Sequence, residues 1–348
     1  MTVTRGTPLR IDDLLDAAAC AGLMGLASAT VAGAPIGVVD LEGRLIIGES
    51  AGAIAARRHP IGLDGTLLGA VEAPEEVPDS LLALLAKSLE LAMDGARQAA
   101  AQARLEHELS VGRRIQLALL PHRFPQVDGW SFAAAYEAAR EVGGDLYDAF
   151  PVRGKADRVG LVVADVTGKG IPAALLMADC RALLHAATDN APTPADAIGR
   201  VNRILVTERP TSLFVTAFLG VLETATGVLR YSSAGHEPPS LIRADGSLER
   251  LQAAGTLLGA FADVTYEDQV VALEPGDILA IHTDGITDAR DPRGTFFGED
   301  RLESSLRAGA GQPPADVATS LVDAVRTFRA GAEPFDDLAL LLVGRDPA

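Results

Sequence analysis

One stretch constrains this chain more than any other: Ala164-Asp165-Val166-Thr167-Gly168-Lys169-Gly170-Ile171-Pro172. It follows the apolar run Val159 to Val163, which reads as a buried strand, and precedes Ala173 to Ala187, which reads as a helix. A carboxylate at the end of a buried strand, followed by glycines, suits a metal. The strand fixes the side chain, and the glycines let backbone approach a ligand. Asp165 is expected to bridge two divalent cations. The acidic clusters Gly143-Gly144-Asp145, Thr283-Asp284-Gly285 and Asp336-Asp337 are expected to complete the cage.

The bulk properties narrow the class. With 348 residues, 48% hydrophobic and 22% charged, the chain is long enough for two or three domains and is globular. No apolar run reaches the roughly 18 residues of a membrane span, and the first ten residues lack a signal-peptide core. A cytoplasmic protein without membrane insertion is expected. Cys20 and Cys180 are the only cysteines, so a disulfide framework is excluded and both read as core thiols. The net charge of −17 would repel nucleic acid, which is not expected as a partner. That charge reads either as solubility or as carboxylates gathered at a cation site.

Taken in order, Ile11 to Ala29 reads as a helix carrying Leu14, Leu15, Leu23 and Met24 on its apolar side. Pro35 to Asp40 and Arg44 to Gly48 read as strands around the Leu41-Glu42-Gly43 turn, followed by His59 to Val71. Residues 1–78 form a small α/β module that loosely resembles a shortened GAF or PAS sensor domain, and reads as a sensor or a dimerisation unit. Residues 79–123 form a helical connector. Leu82, Leu85, Leu89, Ala92, Ala96, Ala99 and Ala103 follow a heptad seam along it, and Leu105 and Leu109 fall out of phase. Either the helix packs on its own domain or it pairs two chains; a homodimer through residues 79–120 is expected. Pro121 ends it.

Residues 124–348 change texture. Strands are expected at Trp130–Ala139, Leu146–Val152 and Val159–Val166, then helices at Ala173–Ala187 and Pro194–Glu208. A meander of strands follows through Leu213–Glu223, Gly227–Ser233, Pro239–Arg243, Tyr266–Leu273 and Asp277–His282. Helices near Glu299–Ala308 and Pro314–Arg329 precede a last strand, Leu338–Val343. Grouped strands and grouped helices predict an α+β layered sandwich rather than a repeating βαβ fold.

The acidic motifs all fall at strand ends, where one edge of a sandwich can gather them. Hard oxygen donors without a His or Cys set favour Mg²⁺ or Mn²⁺ over zinc. Residues Ile115 to Val343 resemble the PPM-type (protein phosphatase 2C-like) metal-dependent serine/threonine phosphatases, in their bacterial SpoIIE/RsbU-like branch. The motifs that carry the resemblance are Ile115-Gln116-Leu117-Ala118-Leu119-Leu120-Pro121, Glu141-Val142-Gly143-Gly144-Asp145-Leu146-Tyr147-Asp148 and Asp165-Val166-Thr167-Gly168-Lys169-Gly170, then Ser233-Ala234-Gly235-His236-Glu237-Pro238-Pro239, Thr283-Asp284-Gly285-Ile286-Thr287-Asp288 and Asp336-Asp337-Leu338-Ala339, in that order.

The resemblance implies an αββα sandwich of two antiparallel sheets and two divalent cations, Mn or Mg. Asp165 would bridge them, Asp284 and Asp336 would hold the first, and Asp145 and the Val166 carbonyl the second. A two-metal-activated water would hydrolyse phosphoserine or phosphothreonine on a regulatory protein, such as a phosphorylated STAS-domain anti-sigma-factor antagonist. The N-terminal module would regulate the site through the connector. Rival readings are a binding protein with a phosphatase-like fold and a hydrolase of small phosphate esters.

Individual positions keep alternatives. Asp148 is either a support behind the metal ligands or a polar strand residue. Asp337 either supports Asp336 or caps a turn. Arg140 either binds phosphate or makes a surface ion pair. His236, beside Gly235, is either structural or a donor to a nearby carboxylate. Lys169 looks like a phosphate-loop lysine, but the nucleotide-loop pattern is absent because Gly170 follows it. Two residues depart from the branch's usual pattern: Glu237 stands in place of asparagine and Asp288 in place of glutamate.

Overall fold

The computed structural model describes residues 34–49, 56–208, 212–252 and 254–347. The helix expected over Ile11–Ala29, and Cys20 with it, lie outside the described residues. The chain divides into two compact units, with the boundary between Glu108 and Leu109.

In the first unit, β1 (Gly37–Asp40), β2 (Leu45–Gly48), β3 (Ala56–Leu63) and β4 (Thr66–Pro74) form an antiparallel sheet in the order β2-β1-β4-β3. The first hairpin closes because Asp40 Oδ1 accepts from the Glu42 and Arg44 amides at 3.0 and 2.8 Å. The long helix α1 (Asp79–Leu119) begins here. Its Leu82, Leu85, Ala86, Leu89 and Met93 pack with Val38, Ile61, Val71 and Ala73 of the sheet. The first half of the heptad seam is therefore this unit's own core. The alanines that continue it, Ala92, Ala96, Ala99 and Ala103, are exposed.

In the second unit the last turns of α1 lead into an αββα sandwich. One antiparallel sheet contains β5 (Trp130–Glu137), β10 (Ser240–Ile242), β11 (Leu248–Arg250), β13 (Ile278–His282) and β14 (Leu338–Arg345), in the order β11-β10-β13-β14-β5. The other contains β6 (Leu146–Pro151), β7 (Arg158–Val166), β8 (Val215–Glu223), β9 (Val228–Ala234) and β12 (Gln269–Ala272), in the order β12-β9-β8-β7-β6. Helices α2 (Ile171–Asn190) and α3 (Pro194–Glu208) pack on the second sheet, and α4 (Gly298–Ala308) and α5 (Pro314–Arg329) on the first.

Side-chain alternation explains why the central strands are apolar throughout. Leu161 and Val163 of β7 meet Leu279, Ile281, Leu341 and Val343 between the sheets. Their neighbours Val162 and Ala164 face α2 through Met177, Cys180 and Leu184. On β14, Leu338, Leu340 and Leu342 face α4 and α5 instead. Both faces are covered, so both parities must be apolar. Each fully buried aliphatic side chain then contributes roughly 1.5–3 kcal/mol.

The elements depart from expectation mainly at their ends. β14 runs on to Arg345 because Gly344 still pairs with Ile278 and Arg345 with Trp130. β11 was not expected; its Leu-Glu-Arg sequence is mostly exposed and carries no strand signal. Among the described residues no helix is long and apolar enough to cross a membrane.

Candidate metal centre

The sandwich gathers its carboxylates at one edge. The β6–β7 ladder ends with Leu146 opposite Ala164, so the next residues, Asp145 and Asp165, come side by side. Leu161 and Val163 point between the sheets, and strand alternation turns Asp165 the same way. The Asp145 and Asp165 carboxyls are close enough that the charge of Asp165 disfavours the anion of Asp145.

From the facing sheet, the Thr283 hydroxyl donates to Asp145 Oδ2 at 2.6 Å and accepts from the Ala339 amide at 2.9 Å. This one side chain joins the two sheets at the site. Asp284 follows it. The next residue, Gly285, lies so close to the Asp337 carbonyl that a Cβ there would overlap the oxygen.

Asp336 accepts from the Asp337 amide through Oδ1 at 2.9 Å, and its Oδ2 lies 3.0 Å from Lys169 Nζ. Asp337 holds the loop that carries Asp145. Its Oδ1 accepts from Ala139 N at 2.7 Å and its Oδ2 from Gly144 N at 2.5 Å. Gln116, on the last turn of α1, grips the same loop, accepting from Gly143 N at 3.0 Å and donating to Gly143 O. The Val166 carbonyl reaches this corner because Gly144 has no side chain; a Cβ there would stand 2.7 Å from that oxygen.

The electrostatics are those of crowded anions. Burial raises Asp145 well above its ordinary carboxyl range, and the Asp165 charge adds to this. Burial also raises Asp165, with the charges of Asp336 and Asp337 contributing. Asp284 is pushed up to about 7 by burial and then by the charges of Asp165 and Asp336. Asp337 is raised by burial against the two amides that stabilise its anion. Nearby Tyr136 is pushed up by burial and by the charges of Asp337 and Asp145, and its buried hydroxyl has no hydrogen-bond partner among the described residues.

Among the described residues no group of three or more His, Cys, Asp or Glu side chains stands ready-closed around a single point. The carboxylates are instead engaged separately: Asp145 with Asp165 and Thr283, Asp336 with Lys169, Asp337 with backbone amides. The donor set nonetheless fits a hard divalent cation. It consists of oxygens, it carries excess negative charge, and burial and then mutual repulsion disfavour its carboxylate anions in the absence of a cation.

The remaining expected residues lie apart from this cluster or at its rim. Asp148 is buried on the helix-facing side, where its Oδ2 meets Arg181 Nη2 and His185 Nε2 of α2, each at 2.7 Å. It fastens a helix through these two partners. His236 is buried, with Nδ1 2.9 Å from the Thr216 hydroxyl and Nε2 without a partner among the described residues. Thr216 pairs with Asp165 across β7 and β8, so His236 touches the site through one residue. Burial, then the His282 charge, lowers His236 to about 3, so it is a neutral imidazole. Arg140 is exposed, next to the clamped Ala139.

Sequence reasoning missed Thr283 and Gln116 as site residues, and discounted Lys169. The signals were present: a hydroxyl directly before Asp284, an amide near the end of the long helix, and a cation four residues after the central carboxylate.

Two antiparallel sheets between helical layers, with aspartates at one edge, define the PP2C-like α+β fold. A family model described as stage II sporulation protein E (SpoIIE) matches residues 155–346, and the chain belongs to that family. It is 31% identical over 271 residues to Protein IcfG of Synechocystis sp., a match covering 69% of this chain and 42% of that protein. It is 26% identical over 245 residues to phosphoserine phosphatase RsbU of Bacillus subtilis, covering 70% of this chain and 72% of RsbU. Among solved structures, the SiaA-PP2C domain of Pseudomonas aeruginosa superposes with a TM-score of 0.63 at 25% identity, covering 71% of this chain and 100% of that one. The match thus spans less than half the length of IcfG.

Proposed function

We propose that the chain hydrolyses phosphoserine or phosphothreonine on a regulatory protein, with divalent cations, Mn²⁺ or Mg²⁺, held by its carboxylates. The observation that supports this reading is the placement of Asp145, Asp165 and Asp284 at one edge of the sandwich, where burial and neighbouring charges raise all three above the ordinary carboxyl range. Asp165 would bridge two ions, Asp284 and Asp336 would serve one, and Asp145 with the Val166 carbonyl the other. Such ions supply an acidic water and charge for phosphoryl oxygens.

The chain's own residues do the positioning. Thr283 orients Asp145 by donating to it. Asp337 and Gln116 fix the loop between Ala139 and Asp145. Arg140, exposed on that loop, is available to the phosphate.

The name of RsbU, a phosphoserine phosphatase, supports the substrate class. A phosphorylated STAS-domain anti-sigma-factor antagonist is the substrate that the family resemblance favours. Regulation would enter through α1, which begins in the first unit and carries Gln116 near its end. A homodimer through residues 79–120 is supported by Leu84, Leu91 and Leu105, which α1 leaves 63, 65 and 50% exposed.

The test is phosphate release from a phosphoserine-bearing protein, with Mn²⁺ and with chelator, beside Asp165→Asn and Asp284→Asn. Metal-dependent turnover lost in both folded variants supports the reading. Silence across metals and phosphoproteins, in the full chain, would favour a binding protein. Turnover of small esters but not phosphoproteins would favour the ester hydrolase.

A further inference from the structure

Lys169 is the residue that the proposed chemistry leaves without a task. Its ammonium lies 3.0 Å from Asp336 Oδ2 and donates to the Phe335 carbonyl. It also stands 5.1 Å from the centroid of the Phe335 ring. The Arg290 guanidinium also lies over that ring, 3.5 Å from the centroid. Arg290 in turn lies 4.7 Å from the centroid of Phe296, so the Phe335–Asp336 segment has an anchor that does not depend on Lys169.

The position is partly shielded: the Lys169 and Asp336 side chains are 28 and 33% exposed. The ammonium acts beyond its partner, since its charge also favours the anionic forms of Asp165 and Asp337. A lysine that served only a surface ion pair would not reach three carboxylates of one centre.

We propose that Lys169 is a resident counter-cation of the carboxylate centre, which holds Asp336 until a divalent ion arrives and competes with that ion for it. This rests on the reading of Asp336 as a metal ligand. Asp336 Oδ1 is turned to the Asp337 amide, so an arriving ion meets the ammonium at Oδ2, and their repulsion there favours displacement of the ammonium. Lys169 has a flexible stem, and Arg290 keeps Phe335 in place, so displacement needs a rotamer change rather than a loop movement. The lysine thereby lowers the affinity of the centre for metal while protecting the metal-free centre from its own repulsion.

The experiment is Mn²⁺ titration calorimetry on the full chain, with thermal melts in chelator and in excess Mn²⁺, for the native protein, Lys169→Met and Lys169→Arg. Lys169→Met is expected to bind Mn²⁺ up to roughly fivefold tighter, the factor that an ion pair worth about 1 kcal/mol supports. It should melt below the native chain in chelator, with the gap closing or reversing in Mn²⁺. Lys169→Arg should stay near the native affinity. Mn²⁺ binding by Lys169→Met that is unchanged or weaker, in a chain with native circular dichroism, overturns the proposal. The native chain's own binding tests the metal centre separately: no binding in any of the three proteins sinks both readings, whereas binding gained only in Lys169→Met upholds both.

Discussion

Gln116 and Gly143 are joined as though they were paired strands. The side-chain amide of Gln116 accepts from the Gly143 amide at 3.0 Å and donates to the Gly143 carbonyl. Both residues are buried, so neither backbone group has water as an alternative. The end of α1 is thereby fastened to the loop that delivers Asp145, and a change in the helix would be felt first at that carboxylate.

Gln116→Ala leaves both Gly143 groups unpaired, which costs roughly 1–3 kcal/mol for each buried group that stays unsatisfied. Local loosening of the Gly143–Asp145 loop is expected to dominate, with the rest of the sandwich intact. Mn²⁺ affinity should fall by about tenfold, the equivalent of 1.4 kcal/mol, and turnover with it. Calorimetric titration beside circular dichroism checks this. Native affinity in the variant would detach α1 from the centre.

Gly285→Ala is expected to be far more damaging than its size suggests. The added Cβ overlaps the Asp337 carbonyl oxygen, which belongs to the backbone and cannot rotate aside. Overpacking of this kind costs about 1–3 kcal/mol or more, and it would shift Asp284 and Asp337 together. Gly95→Ala is the control, because a Cβ on Gly95 meets nothing within 4 Å. On a helix, that exchange should raise stability by up to about 1 kcal/mol. Equal melting behaviour of the two variants would contradict the packing argument.

Much of this architecture is readable from the sequence, for identifiable reasons. β7, β13 and β14 announce themselves because both faces are covered, which leaves apolar runs broken only where an aspartate reaches the edge. The Pro194–Glu208 and Pro314–Arg329 helices match their expected bounds because proline marks each start. What is not legible depends on contacts between distant residues. Asp337 reaches Gly144 across 193 positions and Thr283 reaches Asp145 across 138, and no local pattern encodes either bond. The heptad reading of α1 shows the opposite difficulty: a leucine seam has the same spacing whether it meets a second helix or, as Leu82, Leu85 and Leu89 do, the sheet of its own unit.

Asp148 is predicted to matter for stability and not for metal. Its Oδ2 receives both Arg181 and His185 at 2.7 Å, and the His185 ring stacks on Phe150 with centroids 3.5 Å apart. Removing the carboxylate strands Arg181, whose Nε is already without a partner among the described residues. Asp148→Ala should cost roughly 2–4 kcal/mol, allowing for the partial exposure of Arg181 and His185. Urea unfolding measures the loss. Mn²⁺ affinity of the folded fraction should stay native; a matching fall in affinity would return Asp148 to the metal centre.

His236 gives the protein an acid-sensitive core element whose sign can be worked out. Its folded pKa is depressed to about 3 by burial and by the His282 charge, from an ordinary value of 6.5. Between those two values the unfolded chain binds the proton and the folded chain does not. Stability from this residue is therefore fully present above pH 6.5 and is lost as the pH falls towards 3. The carboxylate centre contributes its own pH dependence, but a comparison with His236→Gln cancels it, since both proteins carry the same aspartates. Glutamine can still meet the Thr216 hydroxyl and cannot become charged. Lowering the pH from 8 to 5 should shift the stability difference between native protein and variant by roughly 2 kcal/mol in favour of the variant, with the slope approaching 1.36 kcal/mol per pH unit below 6.5. Urea unfolding of both proteins from pH 8 to pH 5 reads this directly. A difference that stays constant across the range would mean that the folded protein admits the proton, and that the His236 pocket is open to water.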